Sequence, residues 1–257
     1  MTFNIRYNNA DDSLNTWPYR KDIAASQVKF FDIHVLGVQE ALYDQILDLQ
    51  QRLLQYKYAG VGRDDGKTKG EFSAIFYDTT RLHFLHGETF WLSQTPGIAG
   101  SKGWDAALPR IVTWCLFEDK INHKRFYAFN THFDHMGQVA RSESAKLLLK
   151  KVKDIAGNTP AIITGDFNAA ADDEPIKIIV DKSNPDHLIE TKEISQLQHY
   201  GPDGTFNAFE AKEVDNEAID HIFIKGRLTV LKHATISESW NGRFSSDHFP
   251  VLALISF

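Results

Sequence analysis

Short strand-like runs separated by turn residues recur along nearly the whole chain, and they limit its fold more than any other feature. Phe3, Ile5 and Tyr7 alternate with polar neighbours, and Val35, Leu36, Gly37 and Val38 form a compact run closed by Gln39 and Glu40. Residues 72–77, 82–92, 110–117 and 125–133 are rich in aromatic and β-branched side chains, with glycine- and asparagine-bearing turns between them. Further runs lie at 161–164, 218–224, 228–237 and 249–255. A period of two and β-branched enrichment are strand signals. Helical spacing is confined to three stretches: Ile23, Gln27, Val28 and Phe31 within 19–31; Leu42, Ile46, Leu49 and Leu53; and Leu147, Leu148, Val152 and Ile155 within 139–155. Many strands with few interspersed helices favour a mixed β sandwich covered by helices over a doubly wound sheet. No repeat, low-complexity block or long linker divides the chain, so a single domain over 1–257 is expected.

Composition narrows the chemistry. One cysteine, Cys115, excludes an intrachain disulfide and a thiolate metal cage, and within VTWCLF it reads as a small core residue. The net charge is −6 and the densest basic group, 146–153, reads as the solvated face of a helix. That argues against a tight nonspecific grip on long nucleic acid, which rests on many phosphate contacts. No apolar run is long enough to span a bilayer and no signal peptide opens the chain. Because MTFNIRY starts directly in strand-like sequence, a trimmed mature domain is one expectation, secreted or periplasmic; otherwise the protein is cytoplasmic. A soluble monomer is expected.

The apolar runs end, or are interrupted, in the same kinds of side chain. Asn4 sits in the first, Glu40 closes the second, and His132 and Asp134 end YAFNTHFDH. Asp166 and Asn168 follow AIITG, Asp220 and His221 enter IDHIFI, and Asp247 and His248 precede FPVLALI. Each alone is an ordinary strand end, because Asp and Asn favour turns. Their recurrence points to one rim that gathers acids, amides and imidazoles. Carboxylates and carboxamides without cysteine suit a hard cation such as Mg²⁺ or Mn²⁺, and histidines away from metal-helix spacing suit proton transfer or charge stabilisation. HExxH, the GxxxxGK[ST] loop, the GxSxG elbow and the dinucleotide glycine fingerprint are all missing. Ser245, Ser246, Asp247 and His248 are consecutive, so they point to alternate faces and are no ready-made triad.

The ordered set TFNIR, VQE, NTHFDH, TGDFNA, IDHIFI and SDHFPV runs from residue 2 to residue 251. It resembles the endonuclease/exonuclease/phosphatase superfamily, of pancreatic-deoxyribonuclease-like fold, in a bacterial small-domain form. The resemblance implies a four-layer α/β/β/α sandwich of two mixed, mostly antiparallel sheets flanked by helices. It also implies Mg²⁺- or Mn²⁺-dependent hydrolysis of a phosphate ester by an activated water. Carried over motif by motif, Glu40 is the principal metal ligand, Asp247 a second metal-side carboxylate, and Asn4 a metal or phosphate contact. Asp166 and Asn168 orient or deprotonate the water, His248 sits on the phosphate held by Asp220, and His132 is a further donor to it. Some relatives carry an aspartate two positions after the first asparagine, and here Arg6 stands there. That weakens a two-metal site and DNA repair, and leaves Arg6 to pair with phosphate or an acidic neighbour.

Beyond these motifs, Arg110 of LPRIVTW is a candidate anion clamp or an edge ion pair, and Asn207 and His135 are candidate cleft residues. Trp17, Trp91, Trp104 and Trp240 are divided between stacking and core packing. Phosphorylated small molecules, lipids or nucleic acids are the substrates in view, with loops 8–20, 93–109 and 183–205 setting the choice. A DNA or RNA nuclease and a catalytically silent binding module remain as alternatives. The GNH segment of other metallophosphoesterases is missing, and the presence of Glu40, Asp166 and His248 speaks against silence.

Overall fold

In a computed structural model of the chain, which describes residues 1–211 and 217–257, the runs pair into two six-stranded sheets. In chain order the elements are β1 (Thr2–Asn4), α1 (Trp17–Phe30), β2 (Val35–Ala41), α2 (Tyr43–Arg52), β3 (Tyr56–Ala59), β4 (Phe72–Asp78), β5 (Leu82–Trp91), β6 (Ile111–Asp119) and β7 (Arg125–His132). Then follow α3 (Gln138–Ala156), β8 (Ala161–Asp166), α4 (Glu174–Val180), β9 (Ile189–Glu190), β10 (Asp220–Lys225), β11 (Thr229–Thr235) and β12 (Val251–Ser256). The first sheet has the order β11-β12-β1-β2-β4-β3 and the second β5-β6-β7-β8-β10-β9. Each holds one parallel pair, β1 with β2 and β7 with β8, and is otherwise antiparallel. Parallel neighbours need a long crossover, and α1 and α3 supply it.

Three apolar layers result. Ala24, Ala25 and Val28 of α1 and Ile46 and Leu49 of α2 pack on Phe3, Val38, Phe72 and Phe76 of the first sheet. Leu148, Leu149 and Val152 of α3 and Ile176 and Ile179 of α4 pack on Val112, Phe129 and Ile163 of the second. Ile75, Tyr77, Cys115, Phe117 and Phe126 fill the space between the sheets. Cys115 is fully buried there, as expected of a core residue. The α/β/β/α sandwich expected from the sequence is the observed architecture.

A polar stitch also joins the sheets. Asn130 of β7 donates to the carbonyls of Val38 and Ala74, both at 2.9 Å, and accepts from Gln39 Nε2 at 2.6 Å. Gly37 permits this close approach, since a Cβ there would lie 2.3 Å from Thr164 Oγ1 and 2.4 Å from Asn130 Oδ1.

Element boundaries differ from expectation where the backbone turns. β1 stops at Asn4, because Arg6 takes a left-handed φ of 55° and cannot continue the strand. β12 begins after Pro250, which has no N–H to give a ladder. Strands β3 and β9 and helix α4 carry too little periodicity to be read from sequence. Among the described residues no helix is long and apolar enough to cross a membrane.

Candidate active site

One end of the sandwich collects the polar strand ends, and strand direction explains how. The parallel strands β1, β2, β7 and β8 bring their C-terminal ends there, with Asn4, Glu40, His132 and Asp166. β10 and β12 run antiparallel to β8 and β1, so they start at that same end, with Asp220 at one and Asp247–His248 before the other. Asp166 ends β8 opposite the first residue of β10, Asp220, and beside His132 of β7.

Glu40 needs a local distortion to join the group. Gln39 points into the sandwich and donates to Thr2 Oγ1 at 2.9 Å. The β2–β4 register then shifts between Val38 and Ala41, and Glu40 adopts φ 60°. A bulge of this kind re-aims one side chain at a sheet end. Glu40 there accepts from Asn4 Nδ2 at 3.1 Å and from the Tyr7 amide at 3.2 Å. The same Asn4 Nδ2 donates to Asp166 Oδ2 at 2.9 Å, so one carboxamide spans the two sheets.

Asp166 accepts from the Asn168 amide at 2.9 Å, and Asn168 sits at φ 46°. Asn168 Nδ2 lies 3.0 Å from the Phe133 carbonyl and 3.0 Å from His132 Nε2. A carbonyl only accepts, which fixes the amide orientation and makes His132 Nε2 an acceptor too. The His132 proton therefore lies on Nδ1, which is buried without a hydrogen-bond partner and 3.7 Å from Glu71 Oε2. Burial, with Arg110 and Arg63 nearby, holds the His132 pKa well below the ordinary histidine value. A neutral ring so engaged orients Asn168.

His248 is in the opposite state. Its Nδ1 lies 2.8 Å from Asp220 Oδ2 and its Nε2 3.9 Å from Asp166 Oδ2. Burial disfavours the imidazolium, but Asp220 outweighs it and raises the pKa well above the ordinary value. Burial also pushes the Asp166 carboxyl up to about 7, with Asp220 adding to the shift. Asp247 is raised by burial and then by Glu40.

A cation fits this concentration of buried carboxylates. Asp166, Asp220 and His248 offer ligand atoms within 4.8 Å of one another, a buried cluster able to bind a metal. The set differs from the one expected from sequence, Glu40, Asp247 and Asn4. Asp220 Oδ2 faces His248 and its Oδ1 is buried without a hydrogen-bond partner, while Glu40 and Asp247 add two further carboxylates that act on each other at the same rim. Raised carboxyl pKa values at Asp166 and Asp247 mark the uncompensated negative charge that an ion would offset.

The remaining candidates are placed as follows. Arg6 makes a two-pronged pair with Asp12 at 3.0 and 3.1 Å, 3.7 Å from Asp247 and 3.9 Å from Glu40. Arg110, 4% exposed, donates to Asp134 at 3.2 Å and lies 2.9 Å from His135 Nδ1, with its Nη1 buried and unpartnered. Asn207 holds the Asp247 turn: its amide N–H donates to the Asp247 carbonyl at 2.7 Å and its Nδ2 to Ser246 at 3.2 Å. Trp17 and Trp91 are core residues, their indole N–H groups bound to Asp48 and the Arg63 carbonyl. Trp104 is half-buried and Trp240 exposed.

Sequence reasoning missed Glu71, Arg63 and Arg20. Glu71 immediately precedes β4 at the same rim and forms a bidentate pair with Arg63 at 2.6 and 2.9 Å. Its position just before an apolar strand, like that of Asp247–His248, was the available signal. Arg20, fully buried in α1, donates to the carbonyls of Ile5 at 2.7 Å, Ser245 at 2.9 Å and Arg6 at 3.3 Å. It ties the turn after Asn4 to the turn before Asp247, and no motif marks it.

This site, at one end of an α/β/β/α sandwich, defines a phosphoesterase-type class, and the Endonuclease/Exonuclease/phosphatase family pattern matches residues 1–248. The chain belongs to that family, whose members are hydrolases acting on phosphate esters and include phosphatases and nucleases. It is similar to an endonuclease/exonuclease/phosphatase from Bacteroides vulgatus, with 41% identity and TM-score 0.95 over 99% of this chain and 97% of that one. A mannosyl-6-phosphatase from Bacteroides thetaiotaomicron is 38% identical, with TM-score 0.94 over 100% and 98% of the two chains. TDP2 from D. rerio, solved with a single strand DNA product, shares the fold at 18% identity and TM-score 0.77, over 100% and 97%.

Proposed function

We propose that the protein is a divalent-metal-dependent phosphoric ester hydrolase, with a sugar phosphate monoester as the first substrate class to test. The observation that supports it best is the Asn4 carboxamide bridging Glu40 and Asp166 beside the Asp220–His248 pair. The 38% identity to a mannosyl-6-phosphatase supports the substrate class.

Glu40, Asn4 and Asp247 are the residues to hold Mg²⁺ or Mn²⁺. When bound, such an ion offsets charge on the phosphate oxygens. Asp166, with its raised pKa, accepts the proton of the attacking water. Both amide hydrogens of Asn168 are committed to His132 and Phe133, so its Oδ1 is the atom left to aim that water. His248, kept cationic by Asp220, donates from Nε2 to a phosphate oxygen as negative charge grows there. Arg6 tempers the carboxylate cluster from its Asp12 pair, and Arg110 supports the loop before β6 while its Nη1 faces no protein acceptor.

A panel assay with Mg²⁺ tests the reading: mannose 6-phosphate and other sugar phosphates, inositol phosphates, sphingomyelin, RNA and plasmid DNA. Phosphate release from a sugar phosphate, abolished by chelation, is the expected result. Rapid nicking of the plasmid would favour the nuclease alternative instead. Absence of turnover across the whole panel, with Mg²⁺ and with Mn²⁺, would favour a binding module.

A further inference from the structure

His221 follows Asp220 on β10, so its ring points to the opposite face of the sheet, away from the cleft. It is 2% exposed and lies against the rings of Phe167 and Phe223. Its Nδ1 is 2.6 Å from Glu190 Oε1 on β9, and its Nε2 is 3.0 Å from the Ala169 carbonyl. Neither a carbonyl nor an ionised carboxylate can donate. Both ring nitrogens must therefore carry protons, and His221 is a buried imidazolium. Burial is the largest single influence and opposes that charge; the hydrogen bond and charge of Glu190, with the Ala169 carbonyl and Asp220, together outweigh it and raise the His221 pKa, and Glu190 is lowered in turn. Asp220 on β10, His233 on β11 and Lys192 are the other charged or titratable groups acting on the pair.

A buried ion pair is a weak source of stability, because desolvation cancels most of the attraction. Its location suggests another use. Ala169 directly follows Asn168, which takes a left-handed φ of 46°, a conformation asparagine tolerates. The turn is held at Phe167 by the Ile219 carbonyl, at Asn168 by Phe133 and His132, and at Ala169 by His221.

We propose that the Glu190–His221 ion pair is a positioning element for the Asp166–Asn168 turn, with the His221 Nε2–H anchoring the Ala169 carbonyl from behind the sheet. The proposal rests on the reading of Asp166 and Asn168 as the pair that handles the attacking water. The pair touches neither substrate nor metal. It sets the direction of the Asn168 carboxamide, so its loss lowers the rate of the chemical step and leaves substrate binding largely intact.

His221→Phe keeps the ring volume and removes the anchor. It is expected to lower kcat by roughly tenfold or more, since small misplacements of reacting groups carry large rate costs, with KM changed by less than about threefold. Glu190→Leu should behave alike. Glu190→Gln should recover most of kcat, because the amide can donate to Nδ1 of a neutral ring whose Nε2–H still reaches Ala169. A folded His221→Phe protein with wild-type kcat would overturn the proposal, as would a Glu190→Gln protein no better than Glu190→Leu. NMR of the ring nitrogens gives an answer independent of turnover. Two protonated nitrogens on His221 at pH 6.5, where an ordinary histidine is half neutral, with the Asn168 side-chain signals displaced in His221→Phe, are expected. A neutral ring, or unmoved Asn168 signals, would overturn it. Those NMR results in a protein that hydrolyses no phosphate ester would sink the hydrolase reading alone.

Discussion

Asp166 and Asp220 stand directly opposite each other, the last residue of β8 and the first of β10. Two like charges at one ladder position repel unless a cation lies between or beside them, and His248 supplies part of that charge at 2.8 Å from Asp220. Burial, with Asp220 opposite adding to it, raises the Asp166 pKa to about 7, and the same Asp220 charge helps keep His248 protonated.

Removing the Asp220 charge separates the two. In Asp220→Asn the His248 pKa falls from its raised position toward the ordinary histidine value. The active form needs a protonated His248, so activity in the variant is lost as pH rises through neutrality, while the wild type retains it to higher pH. Loss of the oriented imidazolium also lowers kcat by about 10²–10⁴. A pH–rate profile of both proteins checks this, and coincident alkaline limbs would remove Asp220 from that role.

Metal binding is read by thermal stability. An ion present at about a hundred times its dissociation constant stabilises the folded state by roughly 2.7 kcal/mol, or on the order of 5–10 °C for a domain of this size. Mg²⁺ or Mn²⁺ should produce such a shift in the wild type, and Glu40→Gln should abolish most of it. An undiminished shift in Glu40→Gln places the ion elsewhere, with the Asp166–Asp220–His248 cluster the next set to vary.

Arg20 has a structural prediction of its own. Arg20→Met removes the donors serving the carbonyls of Ile5, Ser245 and Asn15, while the Arg6 carbonyl keeps its bond from Gln45 Nε2. Each unsatisfied buried acceptor costs about 1–3 kcal/mol, so a loss of roughly 3 kcal/mol or more is expected in denaturant unfolding. Arg20→Lys should recover little, because an ammonium cannot reproduce the planar fork.

One contribution to acid sensitivity lies outside the cleft. His199 Nδ1 and His233 Nδ1 lie 2.8 Å apart, and His199 Nε2 is 3.1 Å from the Pro202 carbonyl. Burial, with His199 beside it, lowers the His233 pKa from 6.5 to about 4. The unfolded chain binds the proton first, so stability is full above about pH 6.5 and falls as the pH drops toward 4. The loss is bounded at roughly 3 kcal/mol. Unfolding free energies across that range should show the slope in the wild type and a shallower one in His233→Gln.

Much of the fold was legible in the pattern of side chains. The strands read at 72–77, 110–117 and 125–133 and the helix at 139–155, each within about two residues of the observed element, announce themselves because each buries one face, and burial imposes a period. β3, β9 and α4 were hidden, being short elements held by neighbours more than by their own periodicity. The left-handed φ of Arg6, which ends β1, was invisible as well, because sequence reports a preference and the fold imposes the exception.

The site divides along the same line. By itself, the order of polar residues after apolar runs pointed to one rim holding Asn4, Glu40, His132, Asp134, Asp166, Asn168, Asp220, His221, Asp247 and His248. Local chemistry suffices for that, since strands end where polar groups meet the sheet edge. Of that set, His221 faces the other side of its sheet. Only the tertiary structure decided what each one touches. It joined Glu71 to Arg63 and His132, spent Arg110 on Asp134, committed Arg6 to Asp12, and set His221 behind the Asp166–Asn168 turn. The Glu71–His132, Arg110–Asp134 and His221–Ala169 contacts join residues far apart in the chain, while the Arg63–Glu71 and Arg6–Asp12 pairs close nearer turns. Their charge states follow from burial and neighbours, which exist only once the sheets have packed.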